Sequence, residues 1–229
     1  FECIYYTALR KSCELSKRDG SYSTFKGSPL SEGKFQFDLW DEELKNISYK
    51  RTFEKTKLSD KYDWEGLRKD IMEHGVRNSL VLAMMPTAST GQILGNTECI
   101  EPITSNIYTR GTSSGTFVVV NKYLINDLIE RNLWNNEMKN KIIRNRGSIQ
   151  KIEEIPKELR DLYKTSWDLK MKSLINMASD RAKFIDQTQS MNLFIENPTI
   201  RKLSSMYFYG YRKGLKTLVY YLSLIHISE

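Results

Sequence analysis

Histidine is nearly missing from this chain. His74 and His226 stand alone, and the three cysteines, Cys3, Cys13 and Cys99, form no C-x-x-C pair and lie far from either histidine. That supply excludes a structural zinc site and a disulfide scaffold. It predicts three small thiols, buried or half-buried, in a reducing, cytoplasmic setting. Long apolar runs are lacking too. The longest clean one, Leu80 to Met85, is the size of a strand, far short of the ~18 consecutive apolar residues of a membrane helix. No charged stretch followed by an apolar one stands at the start, so no signal peptide is expected. No internal repeat is visible. The opening "FECIYYTALRKSCEL" already reads as the middle of an amphipathic helix, which leads us to expect a piece of a longer polypeptide with partners missing from some faces.

What is there is ordinary soluble material. The 229 residues are 40% hydrophobic and 28% charged, enough to bury a substantial core in one large domain or two small ones. The formal charge of +7 suits anionic ligands of any kind, nucleotides included. Its Lys and Arg are scattered, and the densest run, "MKNKIIRNRG", has the period of a solvated helix face. A basic, helical nucleic-acid-binding or scaffold module is the alternative reading. It requires the cations to gather on one face and binding to fall steeply with salt.

Along the chain, Phe1 to about Arg18 reads as a helix with Ile4, Ala8 and Leu15 in its apolar stripe. "RDGSYSTFKGSPLSEGKFQFDLWD" reads as a long surface loop packed by its own Tyr22, Phe25, Phe35, Phe37 and Trp40. "DEELKNISYKRTFEKTKLSDKYD" looks like a polar insertion. "DWEGLRKDIMEHG" is a short helix with Trp64, Leu67, Ile71 and Met72 on one side and Gly75 as its stop. "RNSLVLAMM" does not alternate and predicts a strand buried on both faces, and "FVVVN" is a second short extended piece. "KYLINDLIERNLW" and "NEMKNKIIRNRG" predict consecutive helices. Pro156 opens the longest predicted helix, whose stripe runs through Leu159, Leu162, Tyr163, Trp167, Met171, Leu174, Ile175 and Ala178. "SMNLFI", "TIRKLSSMYFYGYRKGLK" and "TLVYYLSL" read as strand, helix and strand. The expected class is α/β, with helices covering a mostly parallel sheet or barrel.

One stretch, "MMPTASTGQILGN", gathers hydroxyls between the predicted buried strand and a predicted helix. Ser89 and Gln92 have the S-x-x-Q spacing of a capping box, which puts a helix start near Ser89. In the plain reading the hydroxyls only satisfy orphan backbone N–H groups, worth about 1 kcal/mol. The other reading is an anion site, because a helix start at the carboxyl end of a strand presents N–H donors and the positive end of a dipole. Pro86 fixes the entry, Ala88 adds no bulk, and Thr87, Ser89 and Thr90 add hydroxyl donors.

The blocks "RNSLVLAMMP", "MPTASTGQILGNTECIEPITSNIYTRGTSSGTFVVVNKYL", "NEMKNKII", "GSIQ", "EIPKELRDLYKTSWDL", "RAKFIDQTQSMNLFI" and "MYFYGYRKGLKTLVYYL" resemble the large, catalytic subunit of class I ribonucleotide reductase, eukaryotic and viral type. "IYYTALRKSCELSKRDGSYSTFKGSPLSEGKFQFDLW" matches just upstream. The resemblance implies an incomplete α/β barrel: residues 1–222 as later barrel strands and C-terminal helices. The implied activity is reduction of ribonucleoside diphosphates to deoxyribonucleotides by thiyl-radical chemistry. It further implies that Pro86, Thr87, Ala88, Ser89 and Thr90 hold the substrate's diphosphate, making the cap the cradle, with some donors left free. Tyr220 and Tyr221 become a radical relay. On residues alone that pair is an ordinary strand end.

The implied partners are a ribonucleoside diphosphate, a small radical-generating subunit with its metal centre, a second large subunit in a homodimer, and a thioredoxin or glutaredoxin as reductant. ATP and deoxynucleoside triphosphates are implied as effectors, with no direct nucleic acid, no membrane, and no metal or cofactor held by this segment. The family's catalytic thiol, its allosteric sites and its C-terminal thiol pair are expected outside the segment, so the piece is expected to be inactive alone. "YTRGTSSGTF" departs from the family's bulkier, more basic run. Residues 41–61 are longer than expected and read as a lineage-specific insertion. "LSLIHISE" replaces the family's continuation and resembles a translated sequencing adapter, so residues 223–229 are expected to be non-native and His226 to have no role.

Overall fold

The structure is a computed structural model that describes residues 1–47, 55–219 and 221–225. In chain order the helices are α1 (Glu2–Asp19), α2 (Gln36–Ile47), α3 (Trp64–His74), α4 (Ala88–Ile93), α5 (Lys122–Glu130), α6 (Asn136–Arg144), α7 (Lys157–Leu162), α8 (Met171–Ala182) and α9 (Ile200–Arg212). The strands are β1 (Ile107–Thr112), β2 (Gly115–Val120), β3 (Asn192–Glu196) and β4 (Tyr221–Ile225). They form two compact units. The first holds Phe1–Pro86, Leu174–Met191 and Pro198–Tyr221, and the second holds Thr87–Ser173, Asn192–Asn197 and the chain from Leu222 onward.

In the first unit the buried stripe of α1 is Tyr5, Leu9, Ser12, Cys13 and Ser16. This is one residue round from the predicted stripe, and Ile4 is exposed. A helix turns 100° per residue, so in "CIYYTAL" the choice among neighbouring apolar positions belongs to the partner surface. The two serines fit because they are bonded. Ser16 Oγ donates to the His74 carbonyl at 2.7 Å, and Ser12 Oγ accepts the Asn78 N–H at 2.9 Å. Each therefore ties α1 to the end of α3 or the residues after it. α3 buries Trp64, Leu67 and Ile71 and starts on the Asp63 side chain, which accepts from Gly66 N. Met72 is half exposed, against expectation, because it lies 100° round from Ile71.

The predicted surface loop is instead part of this core. α2 begins inside it, with the Asp38 carboxylate accepting the Phe35 N–H at 2.9 Å, and Phe35, Phe37 and Trp40 are all buried. Tyr22 and Phe25 pack on each other as expected, edge-on at 5.7 Å, and so do Phe35 and Phe37, at 5.3 Å. The Trp64 indole is the hub, with Phe35, Phe37, Tyr5 and Tyr6 ring centroids 4.9–6.0 Å away. Its N–H donates to Glu2 at 3.0 Å, so the one polar atom of the ring is satisfied. Of the predicted insertion, residues 48–54 lie outside the described residues, and Thr56 and Ser59 are anchored by the Asp41 and Glu2 carboxylates.

Arg77 to Met85 does not form the predicted buried strand. It keeps one parallel bridge, Met84 to Gln189, and Asp186 accepts the Val81 and Leu82 N–H groups at 2.7 and 3.0 Å. Leu80 and Met85 are more than half exposed. A non-alternating apolar run is a strand only where neighbours supply both ladders, and the described residues supply a fragment of one.

In the second unit β1 and β2 form an antiparallel hairpin, registered from Ile107 opposite Val120 to Thr112 opposite Gly115. Only β2 was expected. Asn121 and Asn135 cap α5 and α6. The core gathers Leu124, Leu128, Met138, Ile142, Ile149 and Ile155. Gly147 has φ 80°, and a Cβ there would lie 1.8 Å from Ser105 Oγ, so this turn requires glycine. The long helix expected from Pro156 is broken into α7 and α8, and the longest helix is α1 at 18 residues. Asp168 accepts from both the amide and the hydroxyl of Thr165, and Ser148 donates to the same carboxylate. These local bonds compete with helical ones. Trp167 packs on Phe194 at 5.3 Å, and the Tyr163 hydroxyl donates to Asp127 at 2.6 Å.

The class is α/β, as expected, with the sheet not closed: β1 pairs with β2 and β3 with β4. The expected mostly parallel sheet is not present among the described residues. β3 is the predicted "SMNLFI" strand, and β4 runs through Ile225, into the segment expected to be a tail.

Replacing Trp64 by alanine should destabilise the protein by about 3–5 kcal/mol, since it empties the hub and leaves Glu2 with only its bond from the Ser59 N–H. A urea midpoint unchanged from the parent would show that the ring cluster is not the core of this unit.

Candidate functional site

The hydroxyl-rich turn opens α4, a helix of six residues, too short for a large dipole. Its chemistry rests on individual donors. The capping box does not form. The N-cap is Thr87, not Ser89, with no side-chain cap bond, and the Gln92 amide donates to Glu98 at 3.0 Å. Thr87 stands at φ 53°, ψ 27°, a left-handed conformation that a β-branched residue rarely takes. Its hydroxyl accepts the N–H of Cys99 at 3.0 Å, and Cys99 is itself left-handed, at φ 53°. Two strained residues thus hold each other in place.

With Thr87 engaged there, the first-turn amides stay open. Among the described residues no acceptor meets the N–H of Ala88, Ser89 or Thr90, and all three residues are exposed. The bonds that do form begin at Gly91, whose N–H donates to the Thr87 carbonyl at 2.8 Å. Thr90 Oγ1 turns back toward the same carbonyl, at 3.5 Å. Four of the five sequence-predicted residues, Thr87 to Thr90, lie together in the second unit. Pro86 is the last residue of the first unit's opening segment. Tyr220 lies outside the described residues, and Tyr221 opens β4 without a described side chain.

Sequence reasoning missed a cleft built from the end of α4 and the chain beyond it. It has a volume of about 610 Å³ and is walled by Gln92, Glu101, Tyr108, Arg110, Lys122 and Asn192, among others, and none of Thr87 to Thr90 lines it. Arg110 and Lys122 have no carboxylate partner among the described residues. The Lys122 ammonium sits 5.1 Å from the Tyr123 ring centre. Glu101 accepts the Asn192 backbone and side-chain N–H groups, at 2.5 and 3.2 Å, joining the loop to β3. Burial raises the Glu101 carboxyl, opposed by those two bonds. Burial, then the Glu101 and Glu98 carboxylates, push the Cys99 thiol up to about 11. Of the other thiols, Cys13 is buried, whereas Cys3 is exposed, against expectation. The acids of "TECIEP" were the available signal for this wall. Arg110 had none, because β1 was not foreseen.

Among the described residues no three His, Cys, Asp or Glu side chains are placed to share a metal ion. Nor, among them, is any helix long and apolar enough to cross a membrane.

The family model described as the ribonucleotide reductase barrel domain matches residues 1–221. The chain is 53% identical to the ribonucleoside-diphosphate reductase large subunit of Trypanosoma brucei brucei, over 97% of this chain and 26% of that protein. It is 51% identical to large chain 2 of Saccharomyces cerevisiae, over 97% and 24%, and 53% identical to the Danio rerio large subunit, over 97% and 26%. The chain therefore spans about a quarter of the length of these relatives. Among solved structures, the class Id ribonucleotide reductase alpha subunit of Actinobacillus ureae superposes with a TM-score of 0.60 at 23% identity, over 86% of this chain and 36% of that one. At that identity the likeness concerns the fold alone.

A thiol whose ionisation is pushed up stays protonated and unreactive at neutral pH. At pH 8, iodoacetamide should label Cys3 well before Cys99, and Glu101→Gln should speed labelling of Cys99. Equal rates at the two thiols, read by peptide mass spectrometry, would contradict the burial and charge assigned to Cys99.

Proposed function

This chain belongs to the ribonucleotide reductase barrel-domain family, and from that premise we propose that it is part of a large subunit that reduces ribonucleoside diphosphates to deoxyribonucleoside diphosphates. Its share of the work is to hold the substrate's diphosphate at Pro86 to Thr90. The observation that carries this reading is the set of open amides at Ala88, Ser89 and Thr90. Amide N–H groups meeting phosphate oxygens make charge-assisted bonds, stronger than those to neutral acceptors. The strained Thr87 holds them in position before any ligand arrives, so little ordering cost falls on binding. Thr90 and Ser89 add hydroxyls that can follow the anion.

Tyr220 and Tyr221 are proposed to pass the radical onward by moving an electron and a proton together. The partners are proposed to be a small radical-generating subunit with its metal centre, a second large subunit, and a thioredoxin or glutaredoxin, with ATP and deoxynucleotide effectors bound elsewhere. The basic nucleic-acid-binding alternative is weakened by ion pairs such as Lys17–Asp70, Arg131–Glu158 and Lys141 with Glu137 and Glu154, which disperse the cations among carboxylates.

Ser89→Asp places a carboxylate on the open amides. In the full-length protein it should weaken ribonucleoside diphosphate binding by about 100-fold or more, near 2.7 kcal/mol, while leaving the free nucleoside's weak binding unchanged. Undiminished diphosphate affinity in calorimetry discards the cradle. Tyr221→Phe should abolish turnover and leave diphosphate affinity intact, and retained turnover would remove the relay role.

A further inference from the structure

The core of the first unit contains a line of oxidisable rings. Tyr5 is fully buried, Trp64 is buried, and Tyr6 and Tyr62 are half-buried. The ring centroids lie 6.0 Å apart from Tyr5 to Trp64, 5.1 Å from Trp64 to Tyr6, and 4.9 Å from Tyr6 to Tyr62. Each ring thus touches the next, and the series passes from two buried rings to two half-buried ones. The other rings against Trp64, Phe35 and Phe37, cannot be oxidised under these conditions and leave one way out. Both buried members have a carboxylate at hand. The Trp64 N–H donates to Glu2 at 3.0 Å, and Asp186 stands beside the Tyr5 hydroxyl, which also accepts the Gln36 N–H at 3.1 Å.

We infer that Tyr5, Trp64, Tyr6 and Tyr62 form an exit path that carries a stray oxidising equivalent from the core to the surface, where a small thiol quenches it. The path rests on the proposed radical chemistry only for the source of the oxidant, a protein radical that has left its proper route. Electrons and protons balance at every step. Trp64 gives an electron to the oxidised centre, or to a Tyr5 phenoxyl that recovers its proton from Asp186, and the indole N–H proton passes to Glu2. Tyr6 then reduces the indolyl radical, which takes its proton back, while the Tyr6 phenol proton leaves to water. Tyr62 reduces the Tyr6 phenoxyl, which regains a proton from water as Tyr62 loses its own. The Tyr62 phenoxyl takes a hydrogen atom from the thiol, and two such thiyl radicals join as a disulfide. At neutral pH an indolyl radical is a stronger oxidant than a tyrosyl radical, so the step from Trp64 to Tyr6 runs downhill. Transfer from a Tyr5 phenoxyl to Trp64 is uphill and is drawn forward by that step and by the irreversible capture of the Tyr62 phenoxyl by the thiol.

Phenylalanine keeps the packing of a tyrosine and removes its ability to give up an electron, so the test separates conduction from structure. The full-length protein is irradiated in the tryptophan band with a cobalt(III) ammine complex as irreversible electron acceptor. Oxidised tryptophan and tyrosine are then mapped by peptide mass spectrometry, with Trp134 in the other unit as internal reference. Tyr6→Phe should raise Trp64 damage severalfold relative to Trp134 and lower oxidation at Tyr62, and adding glutathione should suppress Tyr62 oxidation in the parent. Tyr62→Phe should also strand damage further in, on Tyr6 and Trp64. Unchanged Trp64 damage in both variants, or an equal rise at Trp134, overturns the path. No substrate or partner subunit enters this measurement, so its outcome is independent of whether the diphosphate cradle holds.

Discussion

A single hydrogen bond organises the candidate site: the Thr87 hydroxyl accepts the N–H of Cys99 at 3.0 Å. A hydroxyl committed to a distant amide does not cap the helix it begins. The first turn of α4 is left with its donors facing solvent, the normal state of an uncapped helix start. The bond also holds both residues in left-handed backbone, which neither side chain favours. Without it, Thr87 would relax toward an ordinary extended N-cap and its own side chain would occupy the amides. Strain and open donors are therefore two consequences of one contact.

The first unit shows the same economy of polar groups. Its core is aromatic, centred on Trp64, yet three of its buried heteroatoms have designated partners: Glu2 for the indole, the His74 carbonyl for Ser16, Asn78 for Ser12. Buried polar atoms cost free energy unless bonded. These bonds thus select one register of α1 against α3 from the several that its apolar residues would allow. The contacts that select the register also bring the oxidisable rings into a series.

Much of this was readable from residue order. The helices α1, α3, α5, α6 and α9 follow from periodicity and stop signals, and β3 from a short apolar run between turns. The family blocks located the turn at Pro86 to Thr90. The misreadings share one cause. Phe35, Phe37 and Trp40 sit in a stretch punctuated by Gly, Ser and Pro, which reads as loop although its aromatics belong to the core. Thr165 and Asp168 carry no strong break signal, although their mutual bonds divide a helix. Ser89 and Gln92 have cap spacing but lose to the bond between Thr87 and Cys99.

Sequence by itself determined the class, the family and the residues of the candidate cradle, because periodicity, turn chemistry and long blocks of residues in fixed order are local or linear properties. Tertiary structure alone decided that Thr87 is left-handed, that the amides beside it are open, that Arg110 and Lys122 share a cleft wall, and that four oxidisable rings stand in contact. Each of these depends on which distant group meets a given atom, as Cys99 meets Thr87 across twelve residues. Linear order does not encode that choice, which is settled only when packing and hydrogen bonding are satisfied throughout a unit at once.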